Sequence, residues 1–263
     1  MGIINVTPDS FSDGGRFFDP AAAIARAKAL IAEGADLLDI GGESTRPRAE
    51  PVPETEEIAR VVPLIAAIRA ASDVPISIDT MKPAVARAAM AAGATIWNDV
   101  TALTFAPDSP ATAAALGCGV ILMHMQGRPA DMQDDPRYSD VASEVADYLE
   151  ARAAAAMAAG VRREAIRIDP GLGFGKTAAH SLALLGQLDR IIALGFPVVL
   201  GASRKSFIGG VDGAARPADD RLGGSLAAAL AGARAGVAVV RVHDVRQTRQ
   251  ALAVQAAIAA AGA

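Results

Sequence analysis

The sequence predicts an α/β protein, a single (β/α)8 barrel spanning residues 1–263, and three observations predict it. Eight short apolar runs each precede an alanine-rich helical stretch. The runs are nearly continuous in apolar residues, which suits parallel strands buried on both faces. The chain of 263 residues divides into about 33 per repeating unit, close to the ~250 residues of an eight-fold barrel. An open, doubly wound sheet is the competing architecture. No linker or low-complexity stretch interrupts the chain, so one domain is expected.

The first run is GIINV (2–6), followed by a Gly/Ser/Asp loop and a helical pattern, AAAIARAKALIAEGA, beginning near Asp19. The next are LLDIGG (37–42), PISIDT (75–80), TIWNDV (95–100) and GVILMHM (119–125). The fifth leads to an amphipathic helix, SEVADYLEARAAAAMAAG. IRIDPG (166–171), PVVLGAS (197–203) and VAVVRVHDV (237–245) complete the set. Glycines at 34, 93, 160, 195 and 236 stand where helices should stop.

Composition narrows the function classes. Lys and Arg total 25 against 29 Asp and Glu, a net charge of −4, which argues against a broad nucleic-acid or anionic-membrane surface. The one cysteine, Cys118, excludes an internal disulfide framework or a multi-thiolate metal site. Its apolar neighbours predict a buried, inert thiol. Charge cuts every apolar run before the ~20 residues of a membrane span. MGIINVTPDSFSDGG lacks a signal-peptide pattern, so a soluble, cytoplasmic protein is expected.

Nearly every run ends in chemistry: Asn5; Asp39 with Glu43; Asp79; Asn98 with Asp99; His124; Asp169; Ser203-Arg204-Lys205; Arg241 with His243. In a parallel barrel all strand C-termini face one mouth, so these residues should converge. For Asp99 and Asp244 the structural reading, a cap on the following helix, is favoured. Eight such endings together, with Lys, Arg and His among them, exceed what caps require. Arg204, Lys205, Arg241 and His243 follow strands seven and eight, where barrels often build a phosphate site. They predict a cationic pocket for a polyanion, unless Arg204 or Arg241 pairs with a carboxylate such as Asp244.

Two long loops, NVTPDSFSDGG and GGESTRPRAEP, read as flaps over the mouth. DPGLGFGK (169–176) is no Walker A loop, because position 170 is proline. It reads as a tight loop presenting Asp169 and Phe174. The histidines at 124, 180 and 243 lack metal-ligand spacing, and Ser203 lacks a nucleophile-elbow setting. A Mg²⁺ ion held mostly by substrate phosphates stays compatible.

These segments, with DIGGESTRP, SIDTMKP, NDV, LMHMQG, ASRKSF and RVHDV in the same order, resemble the dihydropteroate synthase family, the sulfonamide-inhibited enzymes of folate biosynthesis. The resemblance covers essentially the whole chain. It implies a TIM barrel that joins 6-hydroxymethyl-7,8-dihydropterin pyrophosphate to p-aminobenzoate, releasing pyrophosphate. It implies Asn5 as the Mg²⁺ ligand. Asp79, Asn98, Asp169 and Lys205 would bind the pterin. Arg241 and His243, with Thr45 and Arg46 nearby, would bind pyrophosphate. Pro47, Phe174 and Ser206 would border the p-aminobenzoate site, and Asp13 belongs to the first loop. Asp13, Arg46, Asp79 and Lys205 carry the catalytic expectation. Members of the family usually have a further N-terminal segment under the barrel, and they are commonly homodimers.

The chemistry supports that resemblance. A pterin's amino-pyrimidinone edge suits a carboxylate such as Asp169, an amide such as Asn98 and a donor such as Lys205. Breaking its C–O bond leaves positive charge on the pterin and negative charge on pyrophosphate, which asks for carboxylates on one side and cations on the other. Two rivals are a pterin-binding methyltransferase domain and a non-catalytic barrel module. The first has no need of the long first loop or of Arg241 and His243. The second predicts erosion of the mouth residues, which the sequence does not show.

Overall fold

A computed structural model describes residues 1–6, 20–45, 49–213 and 217–262. All eight expected strands are present: β1 (Gly2–Asn5), β2 (Leu38–Gly41), β3 (Ile76–Asp79), β4 (Ile96–Asp99), β5 (Gly119–Met123), β6 (Ile166–Asp169), β7 (Val199–Leu200) and β8 (Val239–Val240). β1 to β6 form one parallel sheet in sequence order, and β7 pairs with β8. Parallel bridges from Ile168 to Val198 and from Gly2 to Val242 join the two sheets at both edges. At the second seam Met1 N donates to Val240 O at 3.0 Å, and Ile3 N to Val242 O at 3.0 Å. The ring is closed, which excludes the open sheet.

Helices follow the strands: α1 (Pro20–Ala32), α2 (Glu54–Ala71), α3 (Pro83–Ala91), α4 (Ser109–Leu116) and α5 (Val141–Ala158). Two helices follow β6, α6 (Ala178–Gly186) and α7 (Leu188–Ile192), and two follow β7, α8 (Ser206–Asp212) and α9 (Leu222–Ala235). α10 (Val245–Ala261) comes last. The glycines expected to stop helices all have positive φ, from 72° at Gly195 to 114° at Gly93. Thr177 and His180 form a reciprocal capping box at the start of α6, which accounts for that histidine. The seventh and eighth strands are shorter than the apolar runs suggest. After Leu200 and Val240 the chain leaves the ladder toward the mouth, and Arg204 takes a left-handed φ of 60°.

The strands sort their residues by the two-residue period of a pleat. Leu38, Ile40, Ile76, Ile78, Trp97, Val120, Leu122, Ile166 and Ile168 face the helix layer and belong to the large outer core. Met1, Leu37, Ile96, Ile121 and Val199, with Val239 against them, form a separate inner cluster. That plug fills the lower barrel, so the strand ends above it sit over a solid floor.

Candidate active site

The upper layer is one pleat above the plug. Leu37 gives way to Asp39, Ile96 to Asn98, Val199 to Gly201 and Val239 to Arg241 along the same strand faces. The register sets Asn5 beside Gly41, Gly41 beside Asp79 and Asp79 beside Asn98. The bare glycine backbone at 41 leaves Asp79 room: a Cβ there would lie 3.5 Å from the Asp79 Cβ. Opposite, a Cβ on Gly201 would lie 3.8 Å from Asp169 Oδ2 and from Lys205 Nζ, and 4.0 Å from Arg241 Cδ. The structure thus brings Asp79, Asn98, Asp169, Lys205 and Arg241 around one space.

Arg241 is the hub. Its Nε donates to Asp39 Oδ2 at 2.6 Å and its Nη2 to Asp79 Oδ2 at 2.8 Å. Asn98 Nδ2 donates to both oxygens of Asp39 at 3.3 Å. Asp39 is fully buried. In the sequence it is a strand ending with no site role attached. The available signal was its place two residues before Gly41, on the same face. Burial works against the Arg241 guanidinium, yet Asp39 and Asp79 together raise its pKa above the ordinary arginine value.

Asp79 keeps a second oxygen, Oδ1, that is buried and has no partner among the described residues. Burial pushes this carboxyl up to about 7, against the pull of Arg241. Burial also raises Asp169, opposed by Lys205 and by the Gly171 N–H, which donates to Asp169 Oδ1 at 2.7 Å. Lys205 is pulled down to about 8 by burial, with Asp169 resisting. Its Nζ donates to the Leu172 carbonyl and lies 4.7 Å from the centre of the Phe174 ring. Phe174 is therefore at the mouth, as expected. Ser206 opens α8 and is exposed. Thr45 is half-buried after β2. Asp13, Arg46 and Pro47 lie outside the described residues.

The expected cluster of four cations is not assembled. Arg204 is bound by Asp244, with Nε to Oδ2 at 3.1 Å and Nη2 to Oδ1 at 2.7 Å, and reaches Asp219 on its other side. These bonds hold Asp244 below the usual carboxylate range. Asp244 precedes α10 but makes no side-chain cap, because Arg204 takes its oxygens. Arg241 is shared between two carboxylates. Lys205 and Arg241 stay at the mouth, and His243, whose Nδ1 is 3.0 Å from Ser203 Oγ, follows β8 beside them.

Two other strand endings are structural. Asp99 accepts from Thr101 N at 2.8 Å and Leu103 N at 2.9 Å, pinning a turn in which Ala102 and Leu103 have positive φ. Glu43 turns away from the mouth to Lys82, which also binds Glu57 at 2.7 Å. Among the described residues no group of three His, Cys, Asp or Glu side chains could hold a metal. Asn5, a half-buried amide at the end of β1, offers one oxygen. That donor set fits Mg²⁺ bound mainly through substrate phosphates and water, and does not fit an all-protein cage.

Comparison with known proteins agrees with this geometry. The pterin binding enzyme family matches residues 1–243. A dihydropteroate synthase of Neisseria meningitidis serogroup B is 49% identical over 263 residues, covering 98% of this chain and 92% of its own. A solved structure of the Xanthomonas albilineans dihydropteroate synthase with 4-aminobenzoic acid superposes with a TM-score of 0.92 at 49% identity, covering 98% of this chain and 92% of its own. Another, of the same enzyme with 7,8-dihydropteroate, gives 0.89 at 46% identity, with 98% and 92% covered. A closed parallel barrel with carboxylates, an amide and cations at its mouth, joined to likeness of this extent, places the chain in the pterin binding enzyme family, among the dihydropteroate synthases.

Proposed function

We propose that this chain condenses 6-hydroxymethyl-7,8-dihydropterin pyrophosphate with p-aminobenzoate, forming 7,8-dihydropteroate and pyrophosphate in folate biosynthesis. The observation that carries the residue assignment is Asp79 Oδ1, a buried acceptor without a donor, set beside Asn98 and across from Asp169. An unsatisfied carboxylate oxygen in a walled site is costly unless a ligand supplies the donor. The N–H groups of a pterin edge are such donors. Asp169 Oδ2 and the Asn98 carbonyl oxygen continue the acceptor row, and Lys205 donates to the ring oxygen.

In this reading Asp79 and Asp169 act again as the C–O bond breaks, stabilising positive charge on the pterin methylene. Arg241 Nη1 and His243, with Thr45 and Arg46, receive the departing pyrophosphate. Asn5 would hold Mg²⁺, whose charge favours that departure when it is bound. The arylamine is neutral at pH 7 and needs no strong base. Phe174 and Ser206 would border it; for Pro47 and Asp13, outside the described residues, the same arylamine and pterin-cation roles are proposed from the sequence. The intact mouth counts against a non-catalytic barrel.

A cytoplasmic homodimer completes the proposal. Among the described residues no helix is long and apolar enough to cross a membrane. α9 and α10 share an outer groove of about 670 Å³ lined by Leu222, Leu226, Leu230, Val254 and Ile258, with Ile258 68% exposed. A second copy would cover these side chains. Pyrophosphate release measured with each substrate alone and with both tests the function. Release coupled to dihydropteroate only when both are present, and lost in excess chelator, is expected. Equal release without p-aminobenzoate would overturn the condensation.

A further inference from the structure

Lys176 is 3% exposed and has no carboxylate within ion-pair distance among the described residues. Its ammonium is instead enclosed by His124 Nδ1 at 2.8 Å, Gly171 O at 3.0 Å, Phe174 O at 3.1 Å and His124 O at 3.4 Å. Burial, with the Lys176 charge beside it, holds His124 down to about 3, so its ring is neutral; in the tautomer protonated on Nε2, Nδ1 accepts from Lys176. Burial likewise pulls Lys176 down to about 7. A lysine held this way stabilises the fold weakly, because three neutral oxygens and an imidazole replace water without a countercharge.

What the cage does is clearest from the loop it closes. Between β6 and α6 the carbonyls of residues 171 to 175 all accept from side chains. Lys176 takes Gly171 and Phe174, Lys205 takes Leu172, Gln133 takes Gly173 and Tyr138 takes Gly175. The loop also lies flat on the segment after β5. A Cβ on Gly171 (φ 65°) would fall 1.9 Å from His124 O, and one on Gly175 (φ 57°) 2.2 Å from Gln126 O. Lys176 bridges these two layers of backbone from behind, while Lys205 holds the loop from the mouth side.

We propose that Lys176 is a positioning residue for the arylamine half of the reaction, fixing the 171–175 backbone so that the Phe174 ring and the Leu172 carbonyl meet Lys205 in the observed arrangement. The proposal rests on the reading of Phe174 as the arylamine border. Asp169 and Asn98 ride on strands, and the pterin groups hydrogen-bond to the loop at two points, Gly171 N on Asp169 and the Leu172 carbonyl on Lys205, so the pterin should lose less than the arylamine without Lys176.

The test compares Lys176→Met with Thr177→Ala, which removes the α6 cap without touching a loop carbonyl. Expected for Lys176→Met is a KM for p-aminobenzoate raised about tenfold or more, with pterin affinity by calorimetry changed less than about threefold. Thr177→Ala should lower the melting temperature and leave that KM unchanged. Unchanged KM in Lys176→Met, or equal loss of affinity for both ligands, would overturn the proposal. If Lys176→Met does not fold, Lys176→Gln, which keeps part of the donor set, should raise the same KM by a smaller factor. The wild-type protein is the control for the underlying function. If it forms no dihydropteroate, both readings fail; if it does and KM stays fixed in the variants, only this one fails.

Discussion

The barrel interior has two halves built on the same strands, and they obey opposite rules. Below, Met1, Leu37, Ile96, Ile121 and Val199 make an apolar plug. One pleat above, Asp39, Asn98 and Arg241 occupy the same strand faces, ringed by Asp79, Asp169 and Lys205. Burying apolar side chains is favourable at roughly 25 cal/mol per Å², whereas burying charges is favourable only with excellent partners. The shifted titration of Asp79, Asp169 and Lys205 records that cost. The lower half stabilises the molecule, and the upper half is tolerated for what it binds.

The largest effect belongs to the mouth. Asp169→Ala should lower kcat/KM by about 10²–10³-fold, the usual scale for losing a preorganised electrostatic contact. The folded state should survive. Steady-state kinetics with calorimetry of pterin binding decides it: retained pterin affinity in a folded variant would remove Asp169 from the pterin site.

The plug should give the mirror image. Ile121 is fully buried in the inner cluster, and Ile121→Ala should cost about 2–5 kcal/mol of stability. Turnover per folded molecule should stay near wild type. Urea unfolding alongside the activity of the soluble fraction measures both. A turnover loss larger than the folded fraction explains would mean that the plug also shapes the site.

The sequence displays this division unevenly. Strand positions were legible because apolar runs bounded by glycines have few other uses, and Asp79, Asn98 and Asp169 were legible because they end such runs. Partnerships were not. Arg204 and Asp244 are 40 positions apart and Arg241 and Asp39 are 202 apart, so which cations are already neutralised depends on ring closure. The cage around Lys176 uses backbone carbonyls, which leave no residue signature. The division of two βα units into paired helices also escaped: α6 and α7 have only Gln187 between them, while α8 and α9 are parted by a polar stretch with no strong apolar face of its own.

A pH scan sharpens the comparison at smaller amplitude. Asp79 has a folded pKa of about 7 against an ordinary 3.8, so the folded chain binds this proton more tightly and stability falls as pH rises through that window. Lys205 has a folded pKa of about 8 against 10.5, so the folded chain releases its proton sooner and stability recovers above 8. The ligand-free protein should therefore melt lowest near pH 7–8. Lys176, pulled down to about 7, and Asp99, raised to about 6, deepen the same minimum, so Asp79→Asn with Lys205→Met should make the dip shallower; a dip of unchanged depth would assign it wholly elsewhere.

The smallest effect is assigned to Arg204. Its charge is spent on Asp244 and Asp219, both partly open to solvent. Arg204→Ala should cost no more than about 1 kcal/mol and leave the KM for the pyrophosphate substrate unchanged. A raised KM would restore it to the phosphate site.

A mouth that gives up stability to bind a pterin should gain stability and lose its ligand response in Asp79→Asn. The measurement is the melting temperature of wild type and variant at pH 7.5, with and without 6-hydroxymethylpterin pyrophosphate. Expected is a ligand-free variant at least as stable as wild type, whose melting temperature no longer rises with the ligand. A variant that melts earlier yet keeps the full ligand-induced rise would contradict it.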